Sequence, residues 1–257
     1  MTAAQRRIRL LLAYDGTDFS GWQYQPGIRT VQGDLLRVLR RLNGGDMVSL
    51  RGAGRTDTGV HAEGQVADCL IRCRLNDRDL LHALRRMLPE DVRPIDLKTV
   101  PAEFHSQHMA CSKTYRYVLD HSHHADPFQA RYSCHCPVPL YFDLMAAAVS
   151  RLPGRRDWSG FAGVAAPPGN RVRNLTLAEM NRDSENCTTF RFRSDGFLNH
   201  MVRNMVGAVL EIGIGRFGVD RIDDILDTGN RYLAGKTAPS RGLTLEIVGY
   251  EPAPDRA

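Results

Sequence analysis

Residues 52–62, GAGRTDTGVHA, place a carboxylate at Asp57 two positions after the guanidinium of Arg55. The three glycines of this segment permit sharp turns and close backbone approaches, so we predict a loop. One interpretation is an ordinary turn, in which Asp57 accepts hydrogen bonds from local amides. Arg55, which is costly to desolvate, and His61 favour the other interpretation, a loop that presents its carboxylate to a ligand.

Hydrophobic periodicity places this loop inside a β-α-β-β-α-β order. We predict strands at 7–16, 47–50, 64–73 and 92–100, and helices at 30–43 and 76–88. Asn76 is expected to cap the second helix, which ends before Pro89. This order is that of the ferredoxin-like split arrangement, which is common among RNA-binding folds.

The second part of the chain uses the same kinds of element, without a residue-level repeat of the first part. The predicted order is a strand at 112–120, a helix at 140–152, a loop at 155–170, a hairpin of 171–183 and 187–197, a helix at 199–213, a short helix after Asp220 and a strand at 243–250. We therefore expect an α/β (α+β) protein with mainly antiparallel sheets in two ferredoxin-like lobes, 1–104 and 105–257.

The 257 residues carry 34 Lys and Arg against 29 Asp and Glu, a formal net charge of +5, and nearly all the cations are arginines. Arginine pairs with phosphate and stacks on bases, but a high-GC codon bias also favours it, so composition leaves both explanations open. The N-terminal apolar run is interrupted by Arg9 and is too short for a signal peptide or a membrane span. With six scattered cysteines expected to be reduced thiols, we predict a cytoplasmic protein without a membrane segment.

Residues 121–136, HSHHADPFQARYSCHC, combine the pair Cys134 and Cys136 with four histidines. Such ligands could bind zinc. The spacing matches no common zinc finger, however, and the alternation favours a strand with inward thiols. We therefore expect no metal site here.

Six motifs follow one another along almost the whole chain, from Tyr14 to Tyr250. They are YDGTDFSGWQYQP, VQGDL, GRTDTGVHA, KTYRYVL, FLNHMVRNMVGAVLEIG and APSRGLTLEIVGY. In type and order they resemble the motifs of the tRNA pseudouridine synthase A family, in which G-R-T-D-x-G-V-H is a specific signature.

The resemblance implies isomerisation of uridine to pseudouridine in the anticodon stem-loop of tRNA, at positions 38–40. The bond from the base nitrogen to ribose C1′ breaks, the base turns over, and a carbon–carbon bond forms at C5. No redox step occurs, so the resemblance implies no cofactor, and it implies no metal. It assigns catalysis to one carboxylate, Asp57, and leaves open whether Asp57 attacks C1′, adds to C6 or removes the C2′ proton.

The resemblance also assigns substrate-binding residues in a positively charged cleft between the two lobes. The target base must leave its stack, and Arg55 is expected to occupy or stabilise the vacated space. Tyr115 is expected to stack on the flipped base, whereas Tyr117 is interpreted as a core residue. Arg203 is expected to pair with the catalytic acid, the alternative being a solvated arginine at a helix start. Leu243, with Leu245, is either an apolar wall under the base or ordinary core.

Two departures from the family pattern concern RNA contact. Ser106 and Gln107 replace a small residue and an arginine before the second-lobe strand, and Arg85 replaces an asparagine in LRRMLP. The resemblance further implies a homodimer, with tRNA spanning both subunits. Two other functions remain as alternatives: a non-catalytic RNA-binding protein that retains the fold, and a nucleoside glycosidase, although the latter chemistry usually needs a second carboxylate.

Overall fold

The computed structural model describes residues 4–164 and 169–250. The chain divides into two compact units, one of Met1–Cys111 with Leu245–Ala257 and one of Ser112–Thr244. This division places residues 105–111 and 245–250 in the first unit, whereas the sequence analysis places them in the second lobe. Helices and mostly antiparallel strands occur in both units, which confirms the predicted α/β (α+β) class.

The first unit contains the predicted β-α-β-β-α-β order. Its elements are β1 (Arg6–Tyr14), α1 (Val31–Leu42), β2 (Leu50–Gly52), β3 (His61–Ile71), α2 (Asp77–Met87) and β4 (Val92–Val100), joined by most of β10 (Leu243–Tyr250). The strands lie in the order β4-β1-β3, with β2 and β10 both beside β3. The order β4-β1-β3-β2 is that of the split arrangement predicted from the sequence.

Local sequence explains both helices of the first unit. Thr30 caps α1 by accepting a hydrogen bond from the Gly33 amide, and Asn76 caps α2 by accepting one from the Asp79 amide. These side chains satisfy backbone donors that the first helical turn leaves without partners. The apolar stripe of α1 is buried at Val31, Leu35, Val38 and Leu39.

The second unit contains most of β5 (Ala110–Asp120), together with β6 (Cys134–His135), α3 (Phe142–Ser150), β7 (Gly154–Asp157), β8 (Val172–Arg182), β9 (Cys187–Ser194), α4 (Met201–Gly213) and α5 (Arg221–Thr228). Its strands lie in the order β5-β9-β8-β7, and β6 pairs in parallel with β5. The adjacency β5-β9-β8 repeats that of the first, third and second strands in the split arrangement. The predicted hairpin of β8 and β9 is confirmed.

Two predictions of local structure were wrong. The strand expected at 47–50 begins only at Leu50, where pairing with Cys69 of β3 starts. The segment 155–170, predicted as a loop, begins within β7, whose residues pair with β8, and continues into a short 3-10 helix, Ser159–Phe161. Both strands are defined by backbone pairing rather than by an apolar pattern. Residues 165–168 of that predicted loop lie outside the described residues.

Candidate active site

The loop between β2 and β3 carries Asp57 in a tight turn. The Val60 amide donates to the Asp57 carbonyl oxygen at 3.1 Å, and Gly59 has a φ of 75°, a left-handed value that glycine adopts without strain. The Asp57 residue is half-buried and Arg55 is exposed, while Thr56 between them is buried. The loop therefore leaves Arg55 exposed and Asp57 partly accessible on either side of the buried Thr56.

The first motif, YDGTDFSGW, supports this loop through backbone hydrogen bonds. The Trp22 amide donates to the Thr56 carbonyl oxygen at 3.0 Å, and the Gly59 amide donates to the Phe19 carbonyl oxygen at 3.2 Å. A methyl group at Gly16 would stand 2.0 Å from the Val60 carbonyl oxygen. This close approach explains why the motif needs glycine at position 16. It also shows that the first motif packs directly against the segment that contains the Asp57 loop.

Side chains of β1 and β3 complete the anchor. The Tyr14 hydroxyl lies 2.8 Å from the Thr56 hydroxyl, and the Gln65 amide donates to the Gly54 carbonyl oxygen at 2.9 Å. Burial raises the pKa of Tyr14 to about 12, so the phenol stays protonated at neutral pH. These bonds hold the residues on either side of Arg55 and thereby fix the direction of the loop.

His61, which the sequence analysis took as a sign of a ligand-presenting loop, is buried and supports the loop. It is 3% exposed, and its Nδ1 accepts a hydrogen bond from the Gly16 amide at 3.0 Å. Asp15 Oδ1 lies 3.2 Å from the same nitrogen. Because the Nδ1 lone pair is used by the amide, that nitrogen cannot at the same time donate to Asp15. His61 thus links the first motif to the start of β3.

In the second unit, Tyr115 and Tyr117 lie on one face of β5. Tyr117 is fully buried and its hydroxyl donates to the Pro239 carbonyl oxygen at 2.9 Å, which confirms its interpretation as a core residue. Tyr115 is 7% exposed, and its ring meets Phe197 edge to face with centroids 5.1 Å apart. Such an arrangement is favourable for aromatic rings and orients the Tyr115 side chain.

Arg203 is half-buried on the mainly apolar helix α4. Its Nε donates to the Ala238 carbonyl oxygen at 2.8 Å, and the Ala238 amide donates to the Arg203 carbonyl oxygen at 3.0 Å. This reciprocal pair fastens the start of the APSRG motif to the helix. The guanidinium plane of Arg203 is therefore set by the backbone of the motif.

A buried polar network supports this contact, and the sequence analysis missed it. Asn204 is fully buried; its amide donates to the Phe161 carbonyl oxygen at 2.7 Å, and its oxygen accepts from Arg231 at 2.8 Å and from Thr237 at 2.7 Å. Only the position of Asn204 beside Arg203 on an apolar helix could have singled it out. The network ties residues 231–237 to α4, immediately before Ala238.

Leu243, at the start of β10, is 4% exposed, and Leu245 is fully buried. Their burial agrees with both readings made from the sequence, an apolar wall or ordinary core. The first unit thus brings together Asp57, Arg55 and their supporting residues, and the second unit contains Tyr115, Arg203 and Leu243.

Comparisons with known proteins identify the family. A family model described as tRNA pseudouridine synthase matches residues 148–251. The tRNA pseudouridine synthase A of Streptococcus mutans serotype c (strain ATCC 700610 / UA159) is 39% identical over 246 residues, covering 95% of this chain and 99% of that protein. The chain belongs to the tRNA pseudouridine synthase A family. Membership makes it an enzyme of the isomerase class.

Two further matches also cover most of the chain. The tRNA pseudouridine synthase A of Lactococcus lactis subsp. cremoris (strain SK11) is 40% identical over 247 residues, covering 96% of this chain and 98% of that protein. A crystal structure of an unknown protein from Galdieria sulphuraria covers 84% of this chain at 12% identity, but its TM-score of 0.22 carries no argument about the fold.

Against the pattern of the tRNA pseudouridine synthase A family, the replacement at Ser106 has a clear structural setting. Ser106 is fully buried; its amide donates to Asp68 at 2.9 Å, its hydroxyl donates to the Arg51 carbonyl oxygen at 3.2 Å, and its carbonyl oxygen accepts from the Tyr250 hydroxyl at 2.7 Å. Its neighbour Gln107 is exposed. The small side chain at position 106 is therefore required by packing within the first unit.

Arg85, the second departure from the family pattern, forms its hydrogen bonds within the first unit. Its side chain donates to the carbonyl oxygens of Pro94 at 2.9 Å and Ile95 at 2.7 Å. The extra positive charge thus fastens α2 to β4.

The cysteines of this family member are free thiols, as predicted. Cys134 is buried and Cys136 half-buried, and burial raises the pKa of both thiols. Within residues 4–164 and 169–250, no group of three or more His, Cys, Asp or Glu side chains is arranged to hold a metal ion. No helix in the same part of the chain is long and apolar enough to cross a membrane.

Proposed function

We propose that this protein converts uridine into pseudouridine in the anticodon stem-loop of tRNA, with Asp57 as the catalytic carboxylate. The observation that carries the proposal is the way the Asp57 loop is held. Buried bonds from Tyr14, Trp22 and Gln65 fix its backbone and the Thr56 side chain, while Arg55 remains exposed and Asp57 half-buried. Catalysis by one side chain needs this combination of rigid support and access for the substrate.

The reaction is an isomerisation, and it balances without a further reactant. The N1–C1′ bond of uridine breaks and a C5–C1′ bond forms; C5 loses a proton and N1 gains one. Neither an oxidant nor a metal is called for by these steps. Asp57 takes one of three roles: attack at C1′, addition to C6, or removal of the C2′ proton.

The target uridine is stacked with its neighbours, so the proposal includes base flipping. Unstacking costs on the order of a few kcal/mol, and stacking on an aromatic side chain returns about 1–3 kcal/mol. We propose that Tyr115 stacks on the flipped base and that Arg55 occupies or stabilises the space that the base leaves in the stack. Leu243 is proposed as an apolar contact of the base.

Arg203 is proposed as the cation that pairs with the catalytic acid. The bond from its Nε to Ala238 supports this role, because it sets the plane of the fork that a carboxylate would meet. The pairing itself stays a prediction, as does a homodimeric assembly. The net charge of +5 supports tRNA binding that weakens as salt concentration rises.

Asp57→Asn tests the proposal. We expect pseudouridine formation in tRNA to be abolished while tRNA affinity, measured at one salt concentration, changes little, because phosphate contacts supply most of the affinity. Asp223→Asn, a surface change on α5, is the matched control and should leave both quantities unaltered. Turnover of Asp57→Asn within about tenfold of the wild type, roughly 1.4 kcal/mol in barrier, would refute the assignment.

The same experiment addresses the alternative function. A wild-type protein that binds tRNA but forms no pseudouridine in it would favour a non-catalytic RNA-binding protein. Mapping pseudouridine in tRNA from cells that lack the protein would then identify the modified uridines, if any.

A further inference from the structure

Lys113 lies on β5 two residues before Tyr115 and on the same face. It pairs in register with Ser194 of β9, as Tyr115 pairs with Phe192. Because side chains alternate along a strand, Lys113 and Tyr115 project to one side and are separated by about 6–7 Å along the strand. The lysine is therefore adjacent to the residue proposed to stack on the uracil.

The ammonium group of Lys113 is partly buried without a direct polar contact among the described residues. Among the described residues, it makes no hydrogen bond and no ion pair, although most of the side chain is enclosed. Its pKa is lowered by burial and, next, by the charge of Arg173, whereas Asp195 acts in the opposite direction. A partly buried cation beside another cation is unfavourable, and a bound anion would offset this cost.

Strand pairing places Arg173 on the same face. Leu175 of β8 pairs with Ser194, which in turn pairs with Lys113, and Arg173 lies two residues before Leu175. A methyl group at Gly196 would stand 3.2 Å from Arg173 Nε, so the arginine side chain lies across this glycine. The absence of a side chain at Gly196 leaves room for it there.

The charges around this pair do not cancel. Arg156 of β7 pairs directly with Arg173, so a third cation lies on the same face. Like charges opposite each other destabilise a sheet. Asp195, the nearby acid, accepts hydrogen bonds through Oδ1 from the Asn174 amide at 3.0 Å and the Ser194 hydroxyl at 3.1 Å. The carboxylate of Asp195, which already accepts two hydrogen bonds, is therefore the one nearby acid identified, among the described residues, for the three cations Lys113, Arg173 and Arg156.

We propose that Lys113 and Arg173 form an anion site that binds a phosphodiester of the RNA substrate, next to the nucleotide in contact with Tyr115. The RNA source of the anion rests on the proposed function. A lysine contributes a compact charge and an arginine a planar fork, a combination suited to phosphate oxygens. The site would position the backbone beside the flipped base.

Lys113→Met removes the charge and keeps much of the side-chain volume. We expect the slope of log Kobs against log salt concentration for tRNA binding to become shallower by about 0.7–0.9, the value for one lost phosphate contact. The melting temperature of the free protein should remain equal or rise, because an unpartnered cation has been removed. A lysine with only a structural role would lower the melting temperature and leave the slope unchanged, which would overturn the proposal.

Arg86→Met is the charge-matched control. Arg86 is an exposed arginine in the last turn of α2, in the first unit. Its removal changes the net charge by the same amount and should leave the slope at the wild-type value. An equal change of slope in both variants would show a general effect of net charge and would overturn the proposal.

Inorganic phosphate separates this proposal from the proposed function. Phosphate should raise the melting temperature of the wild-type protein more than that of Lys113→Met, whether or not tRNA is modified. Absence of pseudouridine in the wild-type reaction, with the phosphate difference and the slope difference present, would refute the proposed function alone. Equal phosphate effects together with equal slopes would refute the anion site.

Discussion

Asp68→Asn is expected to cause a large loss of stability. Asp68, on β3, is fully buried and accepts hydrogen bonds from Arg7 at 2.6 Å, from the Ser106 amide at 2.9 Å and from Arg51. Burial by itself would raise the pKa of this carboxyl, but the hydrogen bonds from Arg51, Ser106 and Arg7 bring it below its ordinary value. Asparagine has nearly the same shape as aspartate but lacks the negative charge that compensates Arg7 and Arg51.

The expected cost follows from the exposure of the partners. Removing one member of a buried ion pair costs about 3–5 kcal/mol, because the other charge is left without compensation. Arg7 keeps 13% of its side chain exposed and Arg51 33%, so water can hydrate Arg51 in part. We therefore expect the lower end, about 3 kcal/mol, which corresponds to a fall of about 6–12 °C in melting temperature for a chain of this size.

Urea denaturation of the wild type, Asp68→Asn and the control Asp223→Asn measures this cost. Asp223 pairs with Arg151, and both side chains are 42% exposed, so the control should lose no more than about 1 kcal/mol. A loss below about 0.5 kcal/mol in Asp68→Asn would refute the reasoning, since the carboxylate would then contribute no more than a surface group.

The loss of stability caused by Asp68→Asn should depend on pH in a defined direction. A carboxyl whose pKa is lower in the folded than in the unfolded state stabilises the fold fully above the unfolded value of about 3.9. This contribution is lost as the pH falls through the lower folded value. The stability difference between the wild type and Asp68→Asn should therefore be constant near neutral pH and shrink below about pH 4. A difference that grows on acidification would contradict the assigned direction of the shift.

The remaining predictions concern the support of Arg203 and the absence of a metal. A methyl group at Gly207 would stand 1.9 Å from the Lys236 carbonyl oxygen, so Gly207→Ala should displace the segment that bonds Arg203 and lower stability by about 1–3 kcal/mol, with reduced single-turnover activity. Wild-type activity in this variant would contradict a positioning role for that segment. Dialysis against a strong chelator should leave activity unchanged; inactivation that zinc reverses would instead support a metal site at Cys134 and Cys136.

The sequence predicted those elements whose formation depends on local signals. The helix α2 has its cap at Asn76, its apolar residues at helical spacing and a proline beyond its end, and all three signals lie within one segment. The three-residue strand β2 and the polar strand β7 lack such signals. Their existence depends on pairing with β3 and β8, and a partner strand distant in sequence leaves no local pattern.

A similar distinction applies to the candidate site. Asp57, Tyr115 and Arg203 lie in motifs whose residue order identifies them. Asn204 could not be assigned a role, because its partners Phe161, Arg231 and Thr237 lie 43, 27 and 33 residues away in the chain. Ser106 was noted only as a departure from the family pattern, because its contacts with Asp68 and Tyr250 depend on tertiary packing.

The discontinuity of the first unit has a consequence for biosynthesis. Most of β10 belongs to this unit and lies beside β3, and a methyl group at Gly64 of β3 would stand 2.1 Å from the Glu246 carbonyl oxygen. The ribosome makes the whole of Ser112–Thr244 before this strand emerges. Until then, the strand that follows the Asp57 loop has unpaired backbone groups along part of one edge, a state prone to incorrect pairing. A nascent chain therefore acquires its complete first unit only after the second unit has been synthesised, and mutations that slow the folding of the second unit should prolong its exposure to chaperones and proteases.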